Sequence, residues 1–236
     1  MSKIVGMSRN VNLNWLNKAA ELYMTGKTEY EIKNDLNEYL SFEINSPVNL
    51  RKTREILMNI WVRNNENSEV AKKLAIKLYE NGKKENVLLA HWCLILLAYP
   101  VFADICCTIG KMDRKMFDIT NKGIKSNIFD LWGERSTLYY SIDKNIKTLK
   151  DMDVLYSLPK NKYGINRYAI ESSEGIVLIA YTLTCIKDKL YLSLEEINNS
   201  PEFFPFEYDV TIDVLEKSNM FSIDKFGGKL VISKKN

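Results

Sequence analysis

Histidine is nearly missing from this 236-residue sequence, which contains a single one, His91. A nucleophile-base pair or a metal set needs convergent polar groups, and none is visible around it. His91 lies in an apolar run beside Trp92, so it reads as a satisfied core residue rather than a catalytic one. Asp104 and Asp113 stand at no spacing that singles them out. The four cysteines, Cys93, Cys106, Cys107 and Cys185, lack Cys-x-x-Cys spacing and sit in apolar surroundings, which argues against zinc or a disulfide framework. Reduced thiols imply a cytoplasmic protein. Glycine is scarce and forms no phosphate-binding loop, since Gly227-Gly228 is not followed by Lys-Ser/Thr. Apolar runs are short as well. Val87 to Phe102 falls below the roughly 20 residues that span a bilayer, contains His91, is broken by Pro100 and runs into Asp104. It reads as a buried helix followed by a second one. Met1 to Asn14 holds no apolar block of the kind a secretory signal needs. These absences predict a non-enzymatic protein with no cofactor, no metal and no membrane partner.

What is present is ordinary for a globular chain: 46% hydrophobic and 27% charged residues. The net charge of +3 is modest, but it is unevenly distributed. Residues 111 to 170 carry twelve Lys/Arg against seven Asp/Glu, a balance of +5, and residues 171 to 236 carry seven against eleven, a balance of −4. A surface that neutralises phosphate belongs in the first of these segments.

Periodicity predicts a mainly α protein, with an N-terminal helical bundle followed by winged helix-turn-helix modules that have short β-hairpins. Residues 1–98 read as the bundle, 99–171 as a winged helix-turn-helix and 172–236 as a second module of the same kind. Leu13, Leu16, Ala19, Ala20 and Tyr23 form an amphipathic stripe ended by Gly26. Thr28 caps a second helix carrying Tyr30, Ile32, Leu36, Tyr39 and Leu40. Ser46-Pro47 opens a third, with proline where the missing amide costs nothing. Ser68 begins a fourth closed by Gly82, and helices from Asn86 to Tyr99 and Pro100 to Gly110 follow, making roughly five to six in all. No strand signal precedes Val154.

The segment from Trp132 to Ile170 is the most informative. A turn at Trp132-Gly133-Glu134-Arg135 leads to Ser136-Thr137, residue types that cap helices. Leu138, Ile142, Ile146 and Leu149 then mark one helical face, turning Tyr140, Ser141, Lys144 and Lys147 toward solvent up to about Asp151. Val154-Leu155-Tyr156 and Arg167 to Ile170 read as strands around the polar tip Pro159 to Gly164, a wing carrying Lys160 and Lys162 with Arg167 at its return. Arg135, Ser136, Thr137, Tyr140, Ser141, Lys144, Lys147, Lys160, Lys162 and Arg167 are therefore the candidate contacts to double-stranded DNA. Arg51, Lys52 and Arg54 form a second basic patch near a helix start, where cations oppose the helix dipole unless a partner anion helps.

Further along, Gly175 to Leu190, Ser193 to Ile197 and Tyr208 to Lys217 read as three helices. A hairpin about Asp224 to Gly228 follows, with glycines suited to positive φ. The third helix is acidic (Glu207, Asp209, Asp213, Glu216), so this module suits a protein partner better than phosphate.

Several segments resemble the A-component proteins of bacterial BREX phage-defence systems. They are Ser46-Pro47 with Arg51 and Arg54, Leu96 to Asp104, Trp132 to Thr137, and Phe203-Phe204-Pro205-Phe206. The resemblance implies a mainly helical, non-enzymatic DNA-binding accessory protein of phage restriction, with residues 172–236 available to other subunits of a defence complex. The alternatives are a scaffold that uses winged modules for protein contacts, and a transcriptional regulator.

Overall fold

The computed structural model describes residues 6–64, 67–187 and 189–235. Part of the opening segment read for a secretory signal, residues 1–5, therefore lies outside the described residues. The chain is mainly helical with a few short strands. Helices α1 (Leu13–Met24), α2 (Glu29–Ser41), α3 (Pro47–Leu57), α4 (Ser68–Asn81), α5 (Lys84–Ala98) and α6 (Pro100–Arg114) come first. Next are α7 (Asn121–Trp132), α8 (Ser136–Asp151), and strands β1 (Leu155–Leu158), β2 (Lys162–Ile165) and β3 (Tyr168–Ala169). The remainder comprises α9 (Ser173–Ile186), β4 (Leu192–Ser193), α10 (Leu194–Asn198), β5 (Phe206–Glu207), α11 (Ile212–Ser218), β6 (Phe221–Phe226) and β7 (Lys229–Lys234).

Local chemistry explains most of the boundaries. Thr28 and Glu31 form a reciprocal capping box at α2, and Ser193 and Glu196 form another at α10. Ser46 accepts from the Asn49 amide, with Pro47 at the first position of α3. Tyr30 is 73% exposed, because a residue two positions from Ile32 lies about 200° around the helix from the face that Ile32, Leu36 and Leu40 turn inward. Two features carry no sequence signal. A π-helical turn, Met58–Val62, extends α3 and keeps Ile60 and Trp61 buried. Its end is held by the buried Lys72 ammonium, which donates to the Arg63 carbonyl (2.8 Å) and Asn64 Oδ1 (3.0 Å). Burial pushes the Lys72 pKa down to about 8.

α5 is apolar on all sides, and every residue from Leu88 to Leu96 is buried. It packs against α4, α6, α9 and the π-helical turn. Trp92 anchors the C-terminal part of the chain. Its Nε1 donates to the Glu202 carbonyl (3.1 Å), and Phe102, Phe204 and Phe206 meet its ring edge-on with centroids 5.3, 5.6 and 5.5 Å away. Gly110, expected at the end of a helix, instead lies inside α6. The Pro201 carbonyl oxygen comes within 2.1 Å of where its Cβ would be, so no larger residue fits there. No single helix among the described residues is long and apolar enough to cross a membrane; α5 and α6 bend by 118° at Tyr99.

The hairpin β1–β2 pairs Leu155 with Ile165 and Leu158 with Lys162. β3 pairs in parallel with β5, so Arg167 to Ile170 is not the return strand of that hairpin; Lys162–Ile165 is. The third sheet has the order β4-β7-β6. α11 is shorter than the expected Tyr208 to Lys217 helix, because the chain is extended through Phe206-Glu207 to pair with β3.

His91 provides a test of this core. The Trp61 indole N–H can only donate, so its 3.0 Å bond to Nδ1 leaves the proton of neutral His91 on Nε2, which faces Asn17 Oδ1 at 2.8 Å. Burial pushes the imidazole pKa down to about 3. The unfolded chain therefore takes up a proton near pH 6.5 that the folded chain refuses, and stability is lost as pH falls from there toward 3. Since His91 is the single histidine, unfolding free energy should drop by about 2 kcal/mol between pH 7 and pH 5 in urea titrations, and His91→Gln should flatten that drop. Equal midpoints at both pH values in the unsubstituted protein would refute the buried neutral imidazole.

Candidate nucleic-acid interface

α6, α7, α8 and the β1–β2 hairpin come together through a few backbone contacts. Thr120 caps α7, its Oγ1 accepting from the Gly123 amide (3.1 Å), and it bridges antiparallel to Lys162. The Tyr163 amide donates to the Ile119 carbonyl (2.8 Å), so the approach to α7 lies beside β2 like a third short strand. α7 ends where Gly133, at φ 75°, donates to the Phe129 carbonyl (2.8 Å). Three residues later α8 begins.

The two faces of α8 are chemically distinct. Leu138, Ile142, Ile146 and Leu149 are buried, as their spacing requires. Ser136, Thr137, Tyr140 and Lys147 are exposed and Lys144 half-exposed along the opposite stripe. Among the described residues Lys144 makes no ion pair, while Lys147 meets Asp151 one turn on at 3.1 Å. Such an exposed pair contributes little and leaves Lys147 able to exchange its partner. Arg135 is the residue preceding the helix, half-buried, and no side chain caps α8; Ser136 falls inside the helix rather than at its cap.

Ser141 does not face solvent. It is 1% exposed, and its single hydroxyl proton is shared between the carbonyls of Met7 (3.1 Å) and Gly6 (3.3 Å). Asn145 adds a bond to the Met7 carbonyl (3.4 Å), and Thr148 Oγ1 accepts from the Val11 amide (3.0 Å). Together they hold segment 6–12 along α8. A hydroxyl that satisfies buried carbonyls looks, in sequence, like one that faces water, which is why periodicity groups Ser141 with the exposed stripe.

The residues expected on a wing divide in the same way. Lys160 is exposed at the hairpin tip, with Lys160 and Asn161 both in the left-handed region (φ 60° and 58°). Lys162 meets Asp118 at 2.7 Å. Arg167 lies beyond the hairpin and fastens two other elements, donating to Asp113 (2.8 Å) and to the Phe204 carbonyl (2.7 Å). Asp104 is likewise occupied, accepting from the Trp132 indole at 2.8 Å. In the second basic patch Arg51 and Lys52 are exposed, whereas Arg54 is tied to Asn37 (2.8 Å) and Glu55 (2.9 Å).

Sequence reasoning misses a groove of about 780 Å³ between the start of α7, the first turn of α8 and the hairpin tip. Lys122, Lys125 and Lys160 line it with Phe129, Tyr139 and Tyr163. The i, i+3 pair Lys122 and Lys125 is its only sequence trace, and nothing local links α7 to a hairpin tip some forty residues on. Among the described residues no three His, Cys, Asp or Glu side chains converge as a metal set would. No family model, curated protein or solved structure matches the chain.

Substitutions should separate the two faces of α8. Ser141→Ala removes the donor that the Gly6 and Met7 carbonyls share, leaving Met7 with Asn145 alone, and should cost about 1 to 2 kcal/mol of unfolding free energy. Lys144→Ala and Lys147→Ala should each stay within about 0.5 kcal/mol. Urea unfolding measures both, and a neutral Ser141→Ala would contradict the role assigned to its hydroxyl.

Proposed function

We propose that residues 99–171 form a winged helix-turn-helix that binds double-stranded DNA without catalysing a reaction on it. In this reading α8 enters the major groove and the β1–β2 hairpin is the wing. The observation that carries it is the outward stripe of Thr137, Tyr140, Lys144 and Lys147 on α8, beside a hairpin whose tip presents Lys160. Arg135 and Ser136 precede the stripe at the end of α8 that approaches base edges. The order α6, α7, α8, hairpin and the bridge of Thr120 to Lys162 agree with this architecture.

The elements α9, α10, α11 and the β6–β7 hairpin follow the same order and support a second module of related design. α11 carries Asp213 and Glu216, with Glu207 and Asp209 just before it, and this charge favours a protein partner over phosphate. Service as a cytoplasmic DNA-binding accessory subunit of a BREX-type defence complex is the biological setting we infer, on the sequence resemblance alone.

Fluorescence anisotropy with duplex DNA across a salt titration tests the reading. Affinity should fall steeply with salt. Replacing Lys144 and Lys147 by alanine should flatten the slope of log affinity against log salt by about 0.9 for each phosphate that is no longer neutralised. Arg135→Ala should cost about 1 to 3 kcal/mol if the guanidinium reaches a base. A folded triple variant with unchanged affinity and slope would remove α8 as the reader and favour the scaffold reading.

A further inference from the structure

We propose that the groove between α7, α8 and the hairpin tip holds an unpaired nucleotide, so that the protein favours DNA duplexes ending in a single-stranded tail. This deepens the duplex-binding reading and rests on it. Three features of the groove carry the inference: its charge, its rings and its shape.

Among the described residues, two of the three charges in the groove are uncompensated, since Lys125 alone meets a carboxylate, Asp143. Lys122, Lys125 and Lys160 line the groove, and no carboxylate among the described residues does. A second groove, lined by Lys111, Lys187, Lys189 and Lys229, differs on this point. There Lys187 pairs with Glu202, Lys189 with Glu196, and Lys229 lies 3.9 Å from Glu195. Its positive charge is largely spent within the fold. Among the described residues Lys122 and Lys160 form no ion pair. Both are exposed and face the same space, where an anion would bring them a counter-charge.

The rings give this charge a chemical identity. Phe129 and Tyr139 lie nearly parallel, 20° apart with centroids 6.3 Å apart. The Lys125 ammonium sits 3.4 Å from the Tyr139 ring centre while bound to Asp143, whose carboxylate also accepts from Asn121 at 2.8 Å. Lys125 is therefore a positioning residue that holds Tyr139 in a fixed orientation, and Lys122 and Lys160 supply the free charge. Aromatic surface flanked by unpaired cations suits a planar base attached to a phosphate. Bases in the interior of a duplex are stacked on both sides and offer no π face, whereas a base in a single-stranded tail can turn out of its stack.

The shape fits the same ligand. The groove is open to solvent, and its volume of about 780 Å³ is in the range that takes one nucleotide. One wall is the hairpin tip, where Lys160 and Asn161 both hold left-handed backbone, a conformation common for asparagine and uncommon for lysine. Both line the groove.

The test uses the full chain and two DNAs, a blunt duplex and the same duplex with a short tail containing 2-aminopurine. The tailed DNA should bind about tenfold more tightly, consistent with one stacked base, and its fluorescence should be quenched on binding. Tyr139→Leu should remove the tail preference and the quenching while leaving blunt-duplex affinity unchanged. The exposed Lys122→Ala should reduce the preference without any effect on folding. Equal binding of blunt and tailed DNA without quenching would overturn the proposal and leave duplex binding intact. Quenching of free 2-aminopurine deoxyribonucleoside monophosphate, with no tail effect, would overturn the assignment to DNA. Failure of both DNAs to bind would overturn the duplex reading and this proposal together.

Discussion

An apolar helix with no polar side must be enclosed, and this requirement on α5 organises the molecule. Most helices bury one stripe and can sit at a surface, but α5 is buried continuously from Leu88 to Leu96. Its surroundings are recruited from distant parts of the chain: the π-helical turn after α3, then α4, α6 and α9. Three polar contacts inside this enclosure are matched, Trp61 with His91, His91 with Asn17, and Trp92 with a backbone carbonyl. Left unmatched, each would cost more than its hydrogen bond contributes.

The Trp92 contacts also explain why the acidic C-terminal part sits where it does. Phe204 and Phe206 are drawn to the indole edges, and the Pro201 carbonyl reaches α6 at the one place where a glycine leaves room. Arg167 then joins Asp113 of α6 to the Phe204 carbonyl. A cation that looks free in sequence is thereby consumed by the fold, as are Arg54 and Lys72. Within the segment of positive charge balance, Lys144 on α8, Lys122 on α7 and Lys160 at the hairpin tip meet no carboxylate among the described residues, which leaves them available to a partner.

α8 shows how one helix can serve two purposes. Its buried face includes Ser141, Asn145 and Thr148, which bind backbone groups of the segment 6–12, so that segment is fastened along the helix whose opposite side is exposed. Polar residues on both faces obscure the boundary between them. Leucine and isoleucine spacing fixes the helix and its inner stripe, but it cannot tell a serine at the margin of that stripe from one facing water.

Much of the fold is legible in the residues themselves. Capping chemistry at Thr28, Ser46 and Ser193, the break at Pro100 and the glycine turn at 227–228 are local events, and local physics determines them. The span of α8 from Ser136 to Asp151 is equally plain, because four aliphatic residues at helical spacing allow little else. The pairing of Arg167 to Ile170 is not, since a short strand records no preference between a neighbouring hairpin and the distant β5. Nor is the groove, whose lysines and rings come from three separate elements. Sequence by itself determined where most of the helices lie and where positive charge accumulates. Tertiary structure decided which charges remain free, because ion pairing and burial depend on distances that no local pattern encodes.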